Sequence, residues 1–360
     1  MKNGEELYRY HRIVEELKDN ILSGHYVPGG PFPSVKMISR RFKVSHLTAV
    51  KALDVLKNAG LVKTREGVGT FVSKRMKFIG LLIPRLSQVD MFNPVVREIS
   101  RLAQEKGIGL DFAVITESSF TKINELTIAT ARRMASSALS GVVFRPLDFG
   151  CRANAVNKSV KSLFMKANVP LVLMDSDVEY SKVHSRYDFI GVDNRGIGEA
   201  VGRHVLAQGA RSIAFVAWSD MPGNVESRLK GLLSVIEDTQ GATFSGRYFL
   251  QGDQEEMMKC WRRKLPDAIV CSSDLVAAHI LKLLLKINKC VPKDVIVTGI
   301  NDVDLSRLVS PPLTTVRQPC EEIARAAFET LLWRAENKDA IPRRILLATE
   351  LIARESTLQK

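Results

Sequence analysis

Pro33-Ser34, then Val44-Ser45-His46-Leu47-Thr48, Ala52-Leu53, Leu56, Gly60-Leu61-Val62 and Gly67-Val68-Gly69-Thr70-Phe71-Val72 punctuate residues 33–73. The spacing predicts two short helices followed by a glycine-tipped β-hairpin, the layout of a winged helix-turn-helix. Ser45 is a good N-cap for the second helix. Behind it Ala49, Ala52, Leu53 and Leu56 recur at i, i+3, i+4 and i+7, so one face packs inward. The opposite face shows His46, Leu47, Val50 and Lys51. A helix with its N-terminal end open and basic groups nearby suits a DNA major groove.

The charge distribution points the same way. The 360-residue chain carries a net +13, and residues 1–77 hold 15 Lys/Arg against 7 Asp/Glu. That is +8 in the first segment and only +5 in the remaining 283 residues. Basicity is thus concentrated where phosphate neutralisation requires it. Arg40, Arg41 and Lys43 alone would be compatible with a merely solvated face.

Five scattered cysteines (Cys151, Cys260, Cys271, Cys290, Cys320) show no C-x-x-C spacing, which argues against a disulfide framework or a zinc site. The N-terminus lacks an apolar signal core, and runs such as 78–84 are too short to span a bilayer. The expectation is a cytoplasmic chain with no membrane partner, no metal and no cofactor.

An amphipathic helix is predicted over residues 5–24 from Leu7, Ile13, Val14, Leu17, Ile21 and Leu22. Residues 74–77 form a short basic linker. From Phe78 short apolar strands alternate with longer helical stretches, which implies α/β units with parallel sheets. Expected strands are 78–83, 110–114, 141–144, 171–174, 189–192, 212–216, 268–271 and 295–298. Ligands of such sheets bind beyond the carboxyl ends of the strands.

Residues 7–73 resemble the whole DNA-binding domain of the GntR family of bacterial transcription regulators. The resemblance places DNA contacts at Lys36, at Ser45, His46 and Thr48, and at Arg65 and Gly67; Leu47, Val50 and Lys51 share the same open face. His46 and Val50 stand where the family usually has arginine. Arginine forks read guanine, whereas an apolar side chain touches only a thymine methyl. A different, more A·T-rich operator is expected, with simple packing as the other reading of Val50.

Residues 78–356 resemble the effector-binding half of the LacI/GalR regulators, which shares its fold with periplasmic sugar-binding proteins. The matching stretches include Phe78–Pro84, Val169–Asp175, Val192-Asp193-Asn194, Arg228–Gly231, Cys271–Asp274, Gly299–Asp302 and Pro312–Gln318. A GntR-type head on such a body is similar to the arabinose-responsive repressors. The resemblance implies a homodimer on a palindromic double-stranded operator and a sugar or sugar-derived effector between two lobes. These lobes are expected at 78–185 with 317–340, and at 186–314 with the C-terminal end. The domains are then 1–73 and 78–356, joined by 74–77.

Carried over position by position, Asp175 matches a cleft acid and Arg228 an arginine that grips ring hydroxyls, although Arg228 with Gly231 also suits plain helix packing. Ser273 stands for a usual asparagine and Asn301 for a usual aspartate. Gln254 replaces an aromatic. Both losses depart from the pattern for a common neutral sugar. Trp218 is either a substitute stacking surface or a ring packed at a strand end. Arg145 suits an acidic sugar or a phosphate, or a surface position; Asp90 and Phe92 are further cleft candidates. A carboxylate with an arginine fits a polyhydroxyl ligand through charge-assisted hydrogen bonds.

Gly196-Ile197-Gly198-Glu199-Ala200-Val201-Gly202 follows a strand, but its third glycine falls one place too late for a dinucleotide loop. Helix packing with Asp193 or Asn194 as cap is the better reading. No H-E-x-x-H, G-x-S-x-G or phosphate-loop motif occurs. The expected function is a ligand-controlled repressor. A regulator using its ligand as co-repressor or activator, and an enzyme body behind a DNA-binding head, are the other readings.

Overall fold

The computed structural model describes residues 2–22, 25–27, 29–58, 60–65, 68–73, 78–84, 92–115, 117, 119–148, 152–176, 186–218 and 223–358, with 2–10, 22 and 114 by backbone alone. The head begins with α1 (Lys2–Leu22), whose Ile13, Val14, Leu17 and Ile21 are buried. After β1 (Pro31–Phe32) come α2 (Val35–Phe42) and α3 (His46–Asn58), then the hairpin β2 (Val62–Arg65) and β3 (Gly69–Val72). α1 and α2 both pack on α3, and β1 adds an antiparallel third strand to β3. This is the winged helix-turn-helix expected from the sequence. The two-residue β1 was not anticipated, because so short a pairing carries no alternation to read.

The body opens with β4 (Phe78–Ile83), α4 (Phe92–Glu105), β5 (Gly109–Val114), α5 (Phe120–Ser136), β6 (Leu139–Phe144), α6 (Ala153–Lys166), β7 (Leu171–Met174) and β8 (Asp188–Val192). It continues through α7 (Asn194–Ala207), β9 (Ser212–Ala217), α8 (Gly223–Glu237), β10 (Thr243–Phe249), α9 (Gln254–Arg263), β11 (Ala268–Cys271), α10 (Asp274–Lys286), β12 (Ile296–Thr298) and α11 (Leu305–Leu308). Last come β13 (Thr315–Arg317), α12 (Cys320–Glu336), β14 (Arg344–Leu347) and β15 (Glu350–Ile352).

Two parallel sheets result, in the orders β14-β8-β7-β6-β4-β5 and β10-β9-β11-β12. The central strands β4, β6, β7, β8, β9 and β11 are buried almost throughout, as helices on both faces of a parallel sheet require. Between the sheets, β13 and β15 pair antiparallel.

The expected lobe boundary is corrected here. β8 does not open the second lobe; it pairs with β7 and stays in the six-stranded sheet. The chain crosses over only at Asp193, whose carboxylate caps α7 by accepting from the Arg195 and Gly196 amides at 3.1 and 3.0 Å. Residues 344–347 then return to the first lobe beside β8. Arg334 secures that return, because its guanidinium donates to both Asp188 oxygens at 2.6 and 2.9 Å and to the Asn337 and Ile341 carbonyls. The first lobe is therefore 78–192 with 317–347, and the second 193–314 with the chain from 350 onward. Thr357 is fully buried and its hydroxyl meets His204 and Thr314, so the body continues past residue 356.

α7 and α8 touch backbone to backbone. A Cβ at Gly198 would lie 1.9 Å from the Arg228 carbonyl oxygen, and one at Gly231 would lie 2.0 Å from that of Arg195. The glycine-rich run at 196–202 thus serves close helix packing, as the sequence suggested. No helix among the described residues is long and apolar enough to cross a membrane.

Candidate functional site

The head presents its site on α3. Ser34 caps α2 by accepting from the Met37 amide at 3.4 Å, which sets Lys36 in the exposed first turn. The turn between α2 and α3 is closed by Lys43 in left-handed conformation, φ 50°, and by the Ser39 hydroxyl donating to the Val44 carbonyl at 2.6 Å. Ser45 caps α3, accepting from the Thr48 amide at 3.1 Å. Ala49, Ala52, Leu53 and Leu56 are buried, which turns His46, Leu47 and Lys51 outward and leaves Val50 half-buried.

Leu47 is 62 % exposed, an apolar side chain on an otherwise polar opening. Thr48 differs from expectation. It is buried, and its hydroxyl lies 2.8 Å from that of Ser45, so it supports the cap from inside rather than facing outward. Arg65 is exposed on the wing, its guanidinium 5.4 Å from the Phe71 ring centroid. Gly67 lies outside the described residues.

In the first lobe the carboxyl ends of β6 and β7 bring Arg145 and Asp175 together, both buried. Arg145 donates to Asp148 at 2.7 Å and to Asp175 at 3.4 Å, while its guanidinium lies 4.3 Å from the Phe92 ring centroid. Arg145 is thus no surface arginine. Two carboxylates already oppose its charge, which weakens the case for an acidic ligand there. Asp148 was not singled out from the sequence, although the run Arg145-Pro146-Leu147-Asp148 straight after a strand was a usable signal. Asp175 holds φ 67°, a left-handed conformation that costs a non-glycine residue energy and concentrates at binding sites.

In the second lobe Arg228 is buried, donating to the Asn194 side-chain oxygen at 2.8 Å and to the Ser272 carbonyl at 2.9 Å. Ser272 leads into Ser273, whose hydroxyl caps α10 through the Val276 amide at 3.4 Å. The Asp274 amide donates to the Ile300 carbonyl, which sets Asn301 alongside. Asn301 holds φ 119° and accepts from the Gln318 side chain at 2.8 Å. Ser273 and Asn301 therefore sit on adjoining segments at the carboxyl ends of β11 and β12, and Arg228 reaches that end from within α8. Trp218, 40 % exposed, sets its ring edge-on to His279 with centroids 4.9 Å apart, a packing contact at the end of β9. Gln254 is exposed at the start of α9, and Asp90 lies outside the described residues.

Beneath this surface Asp274 is buried. Burial raises its pKa to about 6, against the hydrogen bonds it accepts from the Thr315 hydroxyl and the Val303 amide. Between the lobes opens a crevice of 670 Å³, lined by Asn93 and Arg97 of α4, by Asn301 and Asp302, and by Arg317 and Gln318. Of the expected effector residues that are described, Asn301 alone lines it. Among the described residues no group of His, Cys, Asp and Glu is arranged to hold a metal ion.

Residues 9–72 match the bacterial regulatory proteins of the gntR family, and residues 203–357 match the periplasmic binding protein-like domain. The chain is 26 % identical to the arabinose metabolism transcriptional repressor of Geobacillus stearothermophilus, over 98 % of each chain. A periplasmic binding protein/LacI transcriptional regulator from Alkaliphilus metalliredigens, solved with D-xylulofuranose, superposes with a TM-score of 0.62 at 20 % identity, covering 79 % of this chain and 100 % of that one. A LacI family regulator from Enterococcus faecium with bound ribose gives 0.62 at 19 % identity, over 78 % and 98 %. A gntR-family head whose capped third helix stands open, joined to a two-lobed periplasmic-binding-protein-like body, makes this chain a bacterial DNA-binding transcription regulator.

Proposed function

We propose that the protein is a homodimeric, non-enzymatic repressor that releases its operator when a pentose-sized sugar binds between the lobes. The head supplies DNA affinity through Lys36, Lys51 and Arg65, and sequence choice through His46, Leu47 and Val50. The observation that carries the effector reading is a polar pair at strand carboxyl ends in each lobe, Arg145 with Asp175 in one and Arg228 with Asn194 in the other. Such groups make directed, charge-assisted hydrogen bonds to several hydroxyls at once. The Geobacillus relative is named for arabinose metabolism, and the two solved neighbours hold a pentulose and a pentose, which supports the size class. We place the functional division at 1–73 for the head, 74–77 for the linker and from 78 through at least Thr357 for the effector body.

Ligand closure of two lobes changes the angle between them, and linked heads then lose the fixed half-site spacing that an operator demands. The test is thermal unfolding of the full chain with L-arabinose, D-ribose and D-xylulose in turn, alongside gel shifts on the operator. At least one pentose should raise the melting temperature and release DNA, and Arg228→Ala should abolish the rise. Stabilisation that survives Arg228→Ala would overturn the cleft assignment.

A further inference from the structure

Asn301 and Asp302 are consecutive non-glycine residues with left-handed backbone, φ 119° and 52°. Such a pair persists only where its surroundings over-determine it. The determinant is the Asp302 side chain, which is 1 % exposed. One of its oxygens accepts from Arg317 Nε at 2.7 Å and faces Arg307 at 3.6 Å. The other accepts from Arg354 at 2.5 Å and from the Ser306 hydroxyl at 3.0 Å. Burial alone would raise its pKa, but the bonds from Arg354, Arg317 and Ser306 prevail and hold it below the usual carboxylate value.

The arginines come from a different part of the fold. Arg317 ends β13, and Arg354 follows β15; these strands belong to two of the three passages between the lobes. Arg317 also reaches Glu350 on β15 at 3.2 Å, so one carboxylate of the second lobe fastens both passages. The residue before it, Asn301, shares its side-chain oxygen with Gln318, the residue after β13. On its open side the same segment borders the 670 Å³ crevice facing α4, which leaves room for it to move.

We propose that Asp302 is the positioning residue that converts ligand contact at Asn301 into a change of lobe angle and so into DNA release. The proposal rests on Asn301 being an effector contact. A hydroxyl that bonds the Asn301 side chain competes with Gln318 for its oxygen and turns the strained 301–302 peptide. The carboxylate of Asp302 turns with it and draws Arg317 and Arg354, hence β13 and β15, to a new angle. A carboxylate that served only as a local clamp would affect stability and ligand affinity together, with no separate effect on release.

The test compares the full-length wild type with Asp302→Asn, which keeps the shape and removes the charge, and with Arg317→Gln, a milder change at a half-exposed residue. In the wild type the pentose that binds should weaken operator affinity by about tenfold or more, within the usual range of allosteric coupling. Both variants should bind that pentose within about threefold of wild type, while its effect on operator affinity falls below about twofold. Release as complete as in the wild type would overturn the proposal, and so would parallel loss of binding and release. A ligand-free arm reads amide hydrogen exchange in Asp302→Asn. Residues 315–317 and 350–352 should exchange faster while 268–271 stay protected, and unchanged exchange at both passages also overturns it. If none of L-arabinose, D-ribose or D-xylulose stabilises the wild type, the pentose reading falls and the exchange arm alone judges Asp302.

Discussion

Arg228 owes its place to two glycines that never touch it with a side chain. Because Gly198 and Gly231 let α7 and α8 meet at backbone distance, the Arg228 carbonyl is pinned and its guanidinium is aimed at Asn194 and Ser272. Gly231→Ala forces the helices apart, and overpacking of this kind costs about 1–3 kcal/mol. Urea unfolding should show that loss, and ligand-induced stabilisation should fall more steeply than stability does. A second residue-scale expectation concerns Asp274, whose pKa burial raises to about 6 from an ordinary 3.8. The folded state then holds its proton more tightly than the unfolded chain. Its contribution to stability is full below the ordinary value and is lost as pH rises through about 6. Unfolding free energies measured from pH 4 to pH 7 should therefore decline more in the wild type than in Asp274→Asn; a smaller decline in the wild type would contradict the assignment. Residue roles were only partly legible beforehand. Arg228 and Asp175 stand in recognisable runs, and Asp148 lies three residues from its partner Arg145, whereas Asp302 acts through a partner fifty-two positions away, which spacing does not reveal.

At the scale of elements α3 is the informative one. Its buried face was evident because Ala49, Ala52, Leu53 and Leu56 follow the helical repeat, and its start because Ser45 is a natural cap. Thr48 was misplaced on the open face for a related reason. It sits one turn into the helix, where a hydroxyl able to bond the cap turns inward. Lys36→Ala should weaken binding alike on all DNA sequences and lower the dependence on salt by about one counterion. His46→Ala and Leu47→Arg should instead change which operators are selected, the latter toward guanine. Selection from randomised DNA separates these outcomes, and uniform weakening in all three variants would demote α3 from sequence reader to backbone contact. Elsewhere the expected strands coincide with β4 to β9, β11 and β12 to within a residue or two, while β10 and β13 to β15 were not expected. α7, whose cap was expected at Asp193 or Asn194, is capped by Asp193 and begins at Asn194.

At the scale of the whole molecule, the two lobes were foreseeable but not their seam. Apolar runs announce strands, yet the assignment of β8 and β14 to the first sheet depends on hydrogen-bond partners and on the buried Arg334–Asp188 pair. The homodimer proposed here makes its own demand. Footprints should show two inverted half-sites whose centres are separated by about one helical turn or a whole multiple of it. A single protected half-site at saturating protein would count against the dimer.

The attachment point of the head has a mechanical corollary. The body begins with β4, so the head hangs from the amino end of the first-lobe sheet, whereas Arg145 and Asp175 stand at the carboxyl ends of β6 and β7 beside it. A six-residue strand is about 20 Å long, and the sheet between those two ends is a stiff, fully packed slab. Such a slab is a lever. Tilting it by about 10° swings its far end by roughly 3.5 Å, close to the rise of one base pair along duplex DNA.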